Sequence, residues 1–223
     1  MASKVCMSAI GLLRASHIGP TLIVVTTTFL LSLSNFTVLA SLQIAFAIFT
    51  GQLVVGWTNE LVDLPLDSAA GRHIKPLVAG LISKELLQKS LAIAMVLALA
   101  LSLMSPLGLN GSAVHFLGIL SATFYNFKLK STQFSVIPYI VSFGSLPWAV
   151  YIAAGEKPPL WLYLAFILIA SAFHFLNVIK DLEWDLKQNV LGLPQRLGRN
   201  RSIAIAIVLA LLAIAIIAQG LTS

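Results

Sequence analysis

The chain has 223 residues, of which 58% are hydrophobic and 10% are charged, and its formal net charge is +6. Soluble domains contain about 25% charged residues, so this chain has too few charges to cover the surface of a water-soluble fold. Its only cysteine, Cys6, excludes a disulfide framework and a cysteine metal site. The composition therefore predicts a polytopic membrane protein.

Stretches without charged residues predict the membrane spans, because about 20 apolar residues cross the hydrocarbon core of a bilayer. Residues 18–59 are free of charge and long enough for two helices that break near residue 34. Residues 90–127 also predict two helices, separated by the turn-rich string at 105–111. Single spans follow at about 134–154, 159–179 and 202–220. The sequence thus predicts an all-α transmembrane bundle of about seven spans.

The lysines and arginines predict the orientation of these spans. With the N-terminus inside, 13 of the 14 Lys and Arg residues lie on the cytoplasmic side and only Lys157 lies outside. We therefore expect an integral, multi-pass protein of a bacterial plasma membrane, with its N-terminus and its two longest polar loops in the cytoplasm. This bias explains most of the net charge, so no nucleic-acid partner is predicted.

The four aspartates of the chain form two copies of one pattern. The first copy is Asn59, Asp63 and Asp67, and the second copy, 118 residues later, is Asn177, Asp181 and Asp185. Residues four apart share one face of a helix, so we expect the three residues of the second copy on one helix face. Pro65 disfavours helical geometry at the residue before it, so we expect Asp67 in the loop beyond the helix end.

Paired acidic clusters of this kind predict a shared cation. Like charges four residues apart repel each other, and ionised carboxylates near hydrocarbon are costly. Mg²⁺ commonly takes one or two carboxylates and completes its octahedron with water and substrate phosphates. Basic groups follow the first motif and close the fourth span, and they suit a phosphate ligand: Arg72, Lys75, Lys128 and Lys130, with Tyr125 beside the last two.

The spacing of the two motifs also predicts the architecture. Counted along the chain, the first motif lies at the end of the second span and the second motif at the end of the sixth span. This correspondence predicts a pseudo-repeat of two four-helix halves around a central cavity. Since about seven spans are present, the second half lacks the counterpart of span 4.

These motifs resemble those of the UbiA superfamily of intramembrane prenyltransferases. The family signature Asn-Asp-x2-Asp-x3-Asp is similar to Asn59-Glu60-x2-Asp63-x3-Asp67, with Glu60 in place of the usual aspartate. The segment from Arg72 to Leu77 looks like the family's Arg-x2-(Arg/Lys)-Pro-Leu stretch.

The second half of the chain carries the resemblance further. Asp181 and Asp185 match the family's Asp-x3-Asp signature, and Arg14 sits where the family has an N-terminal arginine. The family's Tyr-x3-Lys is not met, because Leu129 stands at that spacing from Tyr125. Of the two lysines that flank Leu129, Lys130 is the better equivalent.

The resemblance implies one transmembrane prenyltransferase-like domain over residues 1–223 that lacks the last two of the family's usual nine helices. It implies Mg²⁺-dependent transfer of a prenyl group from a prenyl diphosphate, through an allylic carbocation, to an aromatic, quinone-precursor-like acceptor or a lipid. The implied metal ligands are Asn59, Asp63, Asp67, Asp181 and Asp185, of which the four aspartates are catalytic. The implied diphosphate-binding residues are Asn59, Arg72, Lys75, Tyr125, Lys128, Lys130 and Arg14.

Two other functions stay open at this point. A transporter or channel would also use acidic residues within the membrane, but would place them at its middle and not at one end. A catalytically inactive membrane subunit would keep both motifs without turnover.

Overall fold

The computed structural model describes residues 2–222 of the chain, with side-chain environments for residues 6–222. All regular secondary structure within these residues is helical. The helices are α1 (Ala2–Ala15), α2 (Ile18–Ser32), α3 (Val38–Ala69), α4 (Lys84–Met104), α5 (Gly108–Phe124), α6 (Ile137–Ala153), α7 (Leu160–Ile179), α8 (Leu182–Lys187), α9 (Leu193–Leu197) and α10 (Arg199–Gly220). A π-helical turn, Tyr125–Leu129, continues α5.

Each of the seven predicted spans contains a helix, which confirms the prediction of an all-α membrane fold. Among residues 2–222, α3, α4, α7 and α10 are long and apolar enough to cross a membrane individually. The pair formed by α1 and α2, bent by 66°, would make a fifth such crossing, and α6 is apolar but shorter. The predicted breaks near residue 34 and at 105–111 separate α2 from α3 and α4 from α5.

The chain divides into two compact units, Met1–Ser112 and Ala113–Ser223. The first unit contains α1 to α4, and the second contains the π turn and α6 to α10. The boundary lies inside α5, whereas the predicted halves divide after the whole of this helix.

In the first unit, α3 packs between α2 and α4 and also contacts α1. Its fully buried Ile44 and Ile48 contribute to the hydrophobic core. At Gly56 a Cβ atom would lie 2.7 Å from the carbonyl oxygen of Ser16, so only glycine allows the bend between α1 and α2 to approach this closely. The indole Nε1–H of Trp57 donates to the carbonyl of Leu12 at 3.0 Å and fixes the same bend.

In the second unit, α7 packs against α6, α9 and α10. Serine hydroxyls join α5 to α6: Ser121 donates to the carbonyl of Pro138 at 3.3 Å, and Ser142 donates to the carbonyl of Gly118 at 3.0 Å. Internal hydrogen bonds of this kind are required where lipid offers no partner to a polar group.

Candidate active site

Three carboxylates project from one face of α3 near its C-terminal end. Glu60, Asp63 and Asp67 are 2%, 8% and 3% exposed, respectively. Positions i, i+3 and i+7 of a helix lie on one face, which is why these side chains share one buried environment. Burial of three carboxylates is costly without compensating charge, so this helix face requires cations.

The prediction that Asp67 lies in a loop beyond the helix is wrong, because α3 continues through Pro65 to Ala69. The helix end is closed by a Schellman pattern, in which the N–H of Arg72 donates to the carbonyl of Asp67 at 3.0 Å and the N–H of Gly71 donates to that of Ser68 at 3.1 Å. Gly71 has a φ of 62°, which suits a glycine at this position. These bonds hold the last turn in helical geometry despite the proline.

Two basic side chains from the loop after α3 neutralise its acidic face. Arg72 Nη1 lies 3.3 Å from Asp67 Oδ1. Lys75 Nζ lies 3.6 Å from Glu60 Oε2 and 3.6 Å from Asp67 Oδ2. The structure therefore brings together Asp67, Arg72 and Lys75, which the sequence predicted as neighbours in one site.

Glu60, which has no predicted role, organises this cluster. Its Oε1 accepts a hydrogen bond from the backbone N–H of Leu77 at 3.1 Å, while its Oε2 pairs with Lys75. Glu60 thus anchors the loop that carries the basic residues. Its spacing of seven residues from Asp67 places the two on one helix face, and this was the signal that could have identified it.

The donor set of the first unit fits a hard divalent cation. Asn59 Oδ1 is buried and has no hydrogen-bond partner within the described residues. Glu60 Oε2 and Asp67 Oδ2 are also buried, and neither accepts a hydrogen bond from the described residues. Carboxylate and amide oxygens are the ligands that Mg²⁺ uses in proteins. Within the described residues, neither unit gathers three His, Cys, Asp or Glu side chains into a ready-made metal cage.

Arg14, the predicted N-terminal phosphate ligand, is the last basic residue of α1 and is exposed. It lies just before the bend at His17, whose left-handed backbone (φ 53°) ends α1 and allows α2 to start in a new direction.

In the second motif the prediction of one continuous helix face is wrong. Asn177 lies in the last turn of α7, which ends at Ile179, whereas Asp185 lies in the short helix α8. Asp181 precedes α8 with φ −105° and ψ 3°, and so interrupts the helix between them. The carbonyl of Asp181 still accepts the N–H of Asp185 at 2.9 Å, which keeps the two aspartates one turn apart.

Asp185 is buried and is held by Gln195, which is not among the predicted site residues. Gln195 Nε2 donates to Asp185 Oδ2 at 2.7 Å. Gln195 is itself only 6% exposed, and its Oε1 lies buried without a hydrogen-bond partner among the described residues. The signal available in the sequence was the stretch from Gly192 to Gly198, which follows the second motif and is similar to the UbiA stretch that ends in Leu-Gly.

The π turn brings the backbones of Tyr125 and Lys130 together. The N–H of Lys130 donates to the carbonyl of Tyr125 at 3.0 Å, so these two residues are joined by an i to i+5 bond. An α-helix would join Tyr125 to Leu129 instead. The π turn absorbs one extra residue, so that Lys130 occupies the place that a Tyr-x3-Lys spacing would give to a lysine. Lys128 lies inside the turn and is exposed.

Aromatic and polar side chains connect this turn to the second motif. The hydroxyl of Tyr139 forms hydrogen bonds with Tyr125 and with Asn177. The ring of Tyr125 meets that of Tyr139 edge to face, with centroids 5.3 Å apart. Tyr125 and Asn177, both in or beside predicted motifs, are therefore linked through one partly buried tyrosine.

A second set of contacts fixes the loops around Lys130. Ser135 Oγ accepts the N–H of Leu193 at 2.9 Å and lies 3.1 Å from His174 Nε2. At Gly192 a Cβ atom would lie 2.6 Å from the carbonyl oxygen of Lys130, so a side chain there would push the two loops apart. His174 is fully buried, and Ser135 is its hydrogen-bonding partner.

Solved structures share this fold. The chain is similar to a UbiA homologue from Archaeoglobus fulgidus bound to GPP and Mg²⁺, at 17% identity and a TM-score of 0.73, with 94% of this chain and 77% of that chain covered. A UbiA homologue from Aeropyrum pernix K1 matches at 22% identity and a TM-score of 0.71, over 88% of this chain and 75% of that one. Digeranylgeranylglyceryl phosphate synthase matches at 23% identity and a TM-score of 0.67, over 96% and 76%. No curated protein sequence matches the chain significantly.

Sequence comparison identifies the family. The profile of the UbiA prenyltransferase family matches residues 18–223, which include both acidic motifs and every helix from α2 onward. The chain therefore belongs to the UbiA prenyltransferase family of membrane-embedded enzymes.

Proposed function

We propose that residues 1–223 act as one transmembrane domain that transfers a prenyl group from a prenyl diphosphate to an aromatic acceptor of the quinone-precursor type. The observation that carries the proposal is the buried acidic face of α3, where Asp67 lies beside Arg72 and Lys75. Carboxylates for a divalent cation and cations for phosphate oxygens are the two components that diphosphate binding requires. The binding of GPP and Mg²⁺ by the Archaeoglobus fulgidus homologue supports the same assignment.

Mg²⁺ is the proposed cofactor. In the first unit its ligands would be Asn59, Asp63 and Asp67, and in the second unit Asp181 and Asp185. When bound, Mg²⁺ neutralises negative charge that develops on the departing diphosphate. The buried, unpartnered Asn59 Oδ1 supports this assignment, because a buried polar atom without a partner is otherwise unfavourable.

The residues of the chain would act on the leaving group and the cation. Arg72, Lys75 and Lys130 would bind the phosphate oxygens, together with Tyr125 and Arg14, whereas the exposed Lys128 would add only positive charge near the site. The allylic C–O bond breaks, and its electron pair leaves with the diphosphate. The resulting allylic carbocation is attacked by an aromatic carbon of the acceptor, which then loses a proton. The apolar helices would exclude water, which otherwise quenches the cation.

A lipid acceptor is the second candidate, favoured by the similarity to digeranylgeranylglyceryl phosphate synthase. Detergent-purified protein, incubated with Mg²⁺ and radiolabelled prenyl diphosphate, should prenylate a phenolic acceptor. A matched incubation with glycerol phosphate lipids tests the second acceptor class. If neither acceptor class gives product under conditions in which a known prenyltransferase is active, the proposed enzymatic activity is refuted. That result would favour a catalytically inactive subunit.

The proposed orientation places the N-terminus and both motif-bearing loops in the cytoplasm. Cys6 is exposed and is the only cysteine, so it reports the location of the N-terminus directly. A membrane-impermeant maleimide should label Cys6 in inside-out vesicles but not in right-side-out vesicles. The reverse pattern would invert the topology.

A further inference from the structure

The side chain of Lys75 lies between the carboxylate of Asp67, a proposed metal ligand, and that of Glu60. Its Nζ is 3.6 Å from Glu60 Oε2 and 3.6 Å from Asp67 Oδ2. Neither of these two oxygens accepts a hydrogen bond from the described residues. The ammonium group is therefore a counter-ion that Glu60 and Asp67 share.

The ammonium lies farther from both carboxylates than a close charge-assisted hydrogen bond would place it. Charge-assisted hydrogen bonds between nitrogen and oxygen measure about 2.7–2.9 Å, and both separations here are longer. The Lys75 side chain is also 16% exposed, whereas those of Glu60 and Asp67 are 2% and 5% exposed. Its long contacts and partial exposure thus make it easier to displace than a closely bonded buried ammonium.

The backbone around Lys75 is fixed independently of the ammonium. The N–H of Lys75 donates to the carbonyl of Arg72 at 2.9 Å, and its carbonyl accepts the N–H of Ala79 at 2.8 Å. Two residues further on, the N–H of Leu77 donates to Glu60 Oε1 at 3.1 Å. The loop therefore stays attached to α3 while the flexible four-carbon stem of the lysine changes direction.

We propose that Lys75 is an exchangeable internal cation, which occupies the position between Glu60 and Asp67 before substrate arrives and moves to the diphosphate when metal and substrate bind. This inference rests on the proposed function, because it requires a divalent cation at Asp67. It assigns Lys75 two successive partners, first carboxylate and then phosphate. It follows that a divalent cation without substrate competes with the ammonium and binds weakly.

Binding of Mn²⁺ alone, measured from the electron paramagnetic resonance signal of unbound Mn²⁺, tests the inference without any turnover. Lys75→Ala removes the competing charge, so it should bind Mn²⁺ at least about fivefold more tightly than the wild type, at the lower end of ordinary coupling between sites. Lys75→Gln keeps most of the side-chain length and should behave in the same way if Lys75→Ala does not fold. Lys84→Ala, an exposed lysine at the start of α4, is the matched control and should leave Mn²⁺ affinity unchanged.

Thermal unfolding in EDTA supplies a second readout. Loss of the internal counter-ion should lower the melting temperature of Lys75→Ala in EDTA, and Mn²⁺ should raise it by more than it raises that of the wild type. If Lys75→Ala and Lys75→Gln bind Mn²⁺ no more tightly than the wild type, while Asp67→Asn loses binding, the inference is wrong and the metal site stands. If Asp67→Asn binds Mn²⁺ as the wild type does, or if no protein binds it, the metal site itself fails and the inference fails with it.

Discussion

At the scale of single residues, the two lysines that follow Tyr125 differ in their geometry. Lys130 is joined to Tyr125 by the hydrogen bond that closes the π turn, whereas Lys128 lies within the turn and is exposed. An α-helical projection from sequence places Lys128 one turn from Tyr125 and Lys130 on a different face, which conflicts with the choice of Lys130 as the better equivalent. The extra residue of the π turn resolves this conflict, because i and i+5 become neighbours along the axis.

This difference predicts unequal effects of two substitutions. Lys130→Ala should raise the KM for prenyl diphosphate by about 10-fold to 100-fold, because a hydrogen bond to a charged group contributes roughly 1.5–3 kcal/mol. Lys128→Ala should change it less than about threefold, as expected for an exposed charge. Steady-state kinetics of both variants would measure this. A larger effect at Lys128 than at Lys130 would show that the π turn does not set the register.

At the scale of elements, the positions of the helices followed from charge and hydropathy, but several of their ends did not. Pro65 carries a local preference against helix, and the chain overrides it because Arg72 and Gly71 close the end of α3. The spacing of Asn177, Asp181 and Asp185 suits one continuous helix, but α7 ends at Ile179. At the end of α3 the deciding bonds come from residues after the motif, which a periodicity argument does not contain.

The same limit applies to partners within the site. The proximity of Arg72 and Lys75 to the first motif was predictable, since they follow it closely in sequence. The contact between Gln195 and Asp185 was not, because it depends on how the chain turns between α8 and α9. The sequence shows that Glu60 departs from the family signature. It does not show that the side chain of Glu60 accepts a hydrogen bond from the N–H of Leu77, because that contact depends on the path of the loop after α3.

The close approach of α3 to the bend after α1 gives a prediction at this scale. Gly56→Ala should lower the free energy of unfolding by about 1–3 kcal/mol, because its Cβ would meet the backbone of Ser16. Gly19→Ala, in α2 with open space around the added carbon, is the matched control and should be neutral or stabilising. Thermal unfolding in detergent compares them. Equal melting temperatures for the two variants would contradict the tight contact.

At the scale of the whole molecule, composition and charge predicted a membrane protein, and the family profile over residues 18–223 identifies which kind. The chain has four aspartates, and each copy of the motif contains two of them. A chain that keeps its aspartates only in these two motifs is expected to need both motifs for one reaction. This favours an enzyme over a transporter, in which acidic residues follow a path through the membrane.

The dependence of prenyl transfer on both acidic motifs is tested most directly by Mg²⁺-dependent formation of labelled prenyl product. The wild type, Asp63→Ala and Asp181→Ala would be compared. Each variant should lose more than about a hundredfold in rate, because removal of a ligand costs more than the 10-fold to 100-fold typical of the residues that support ligands. Both variants should remain monodisperse in detergent. Normal turnover by either one would contradict the account, since that motif would then be dispensable for prenyl transfer.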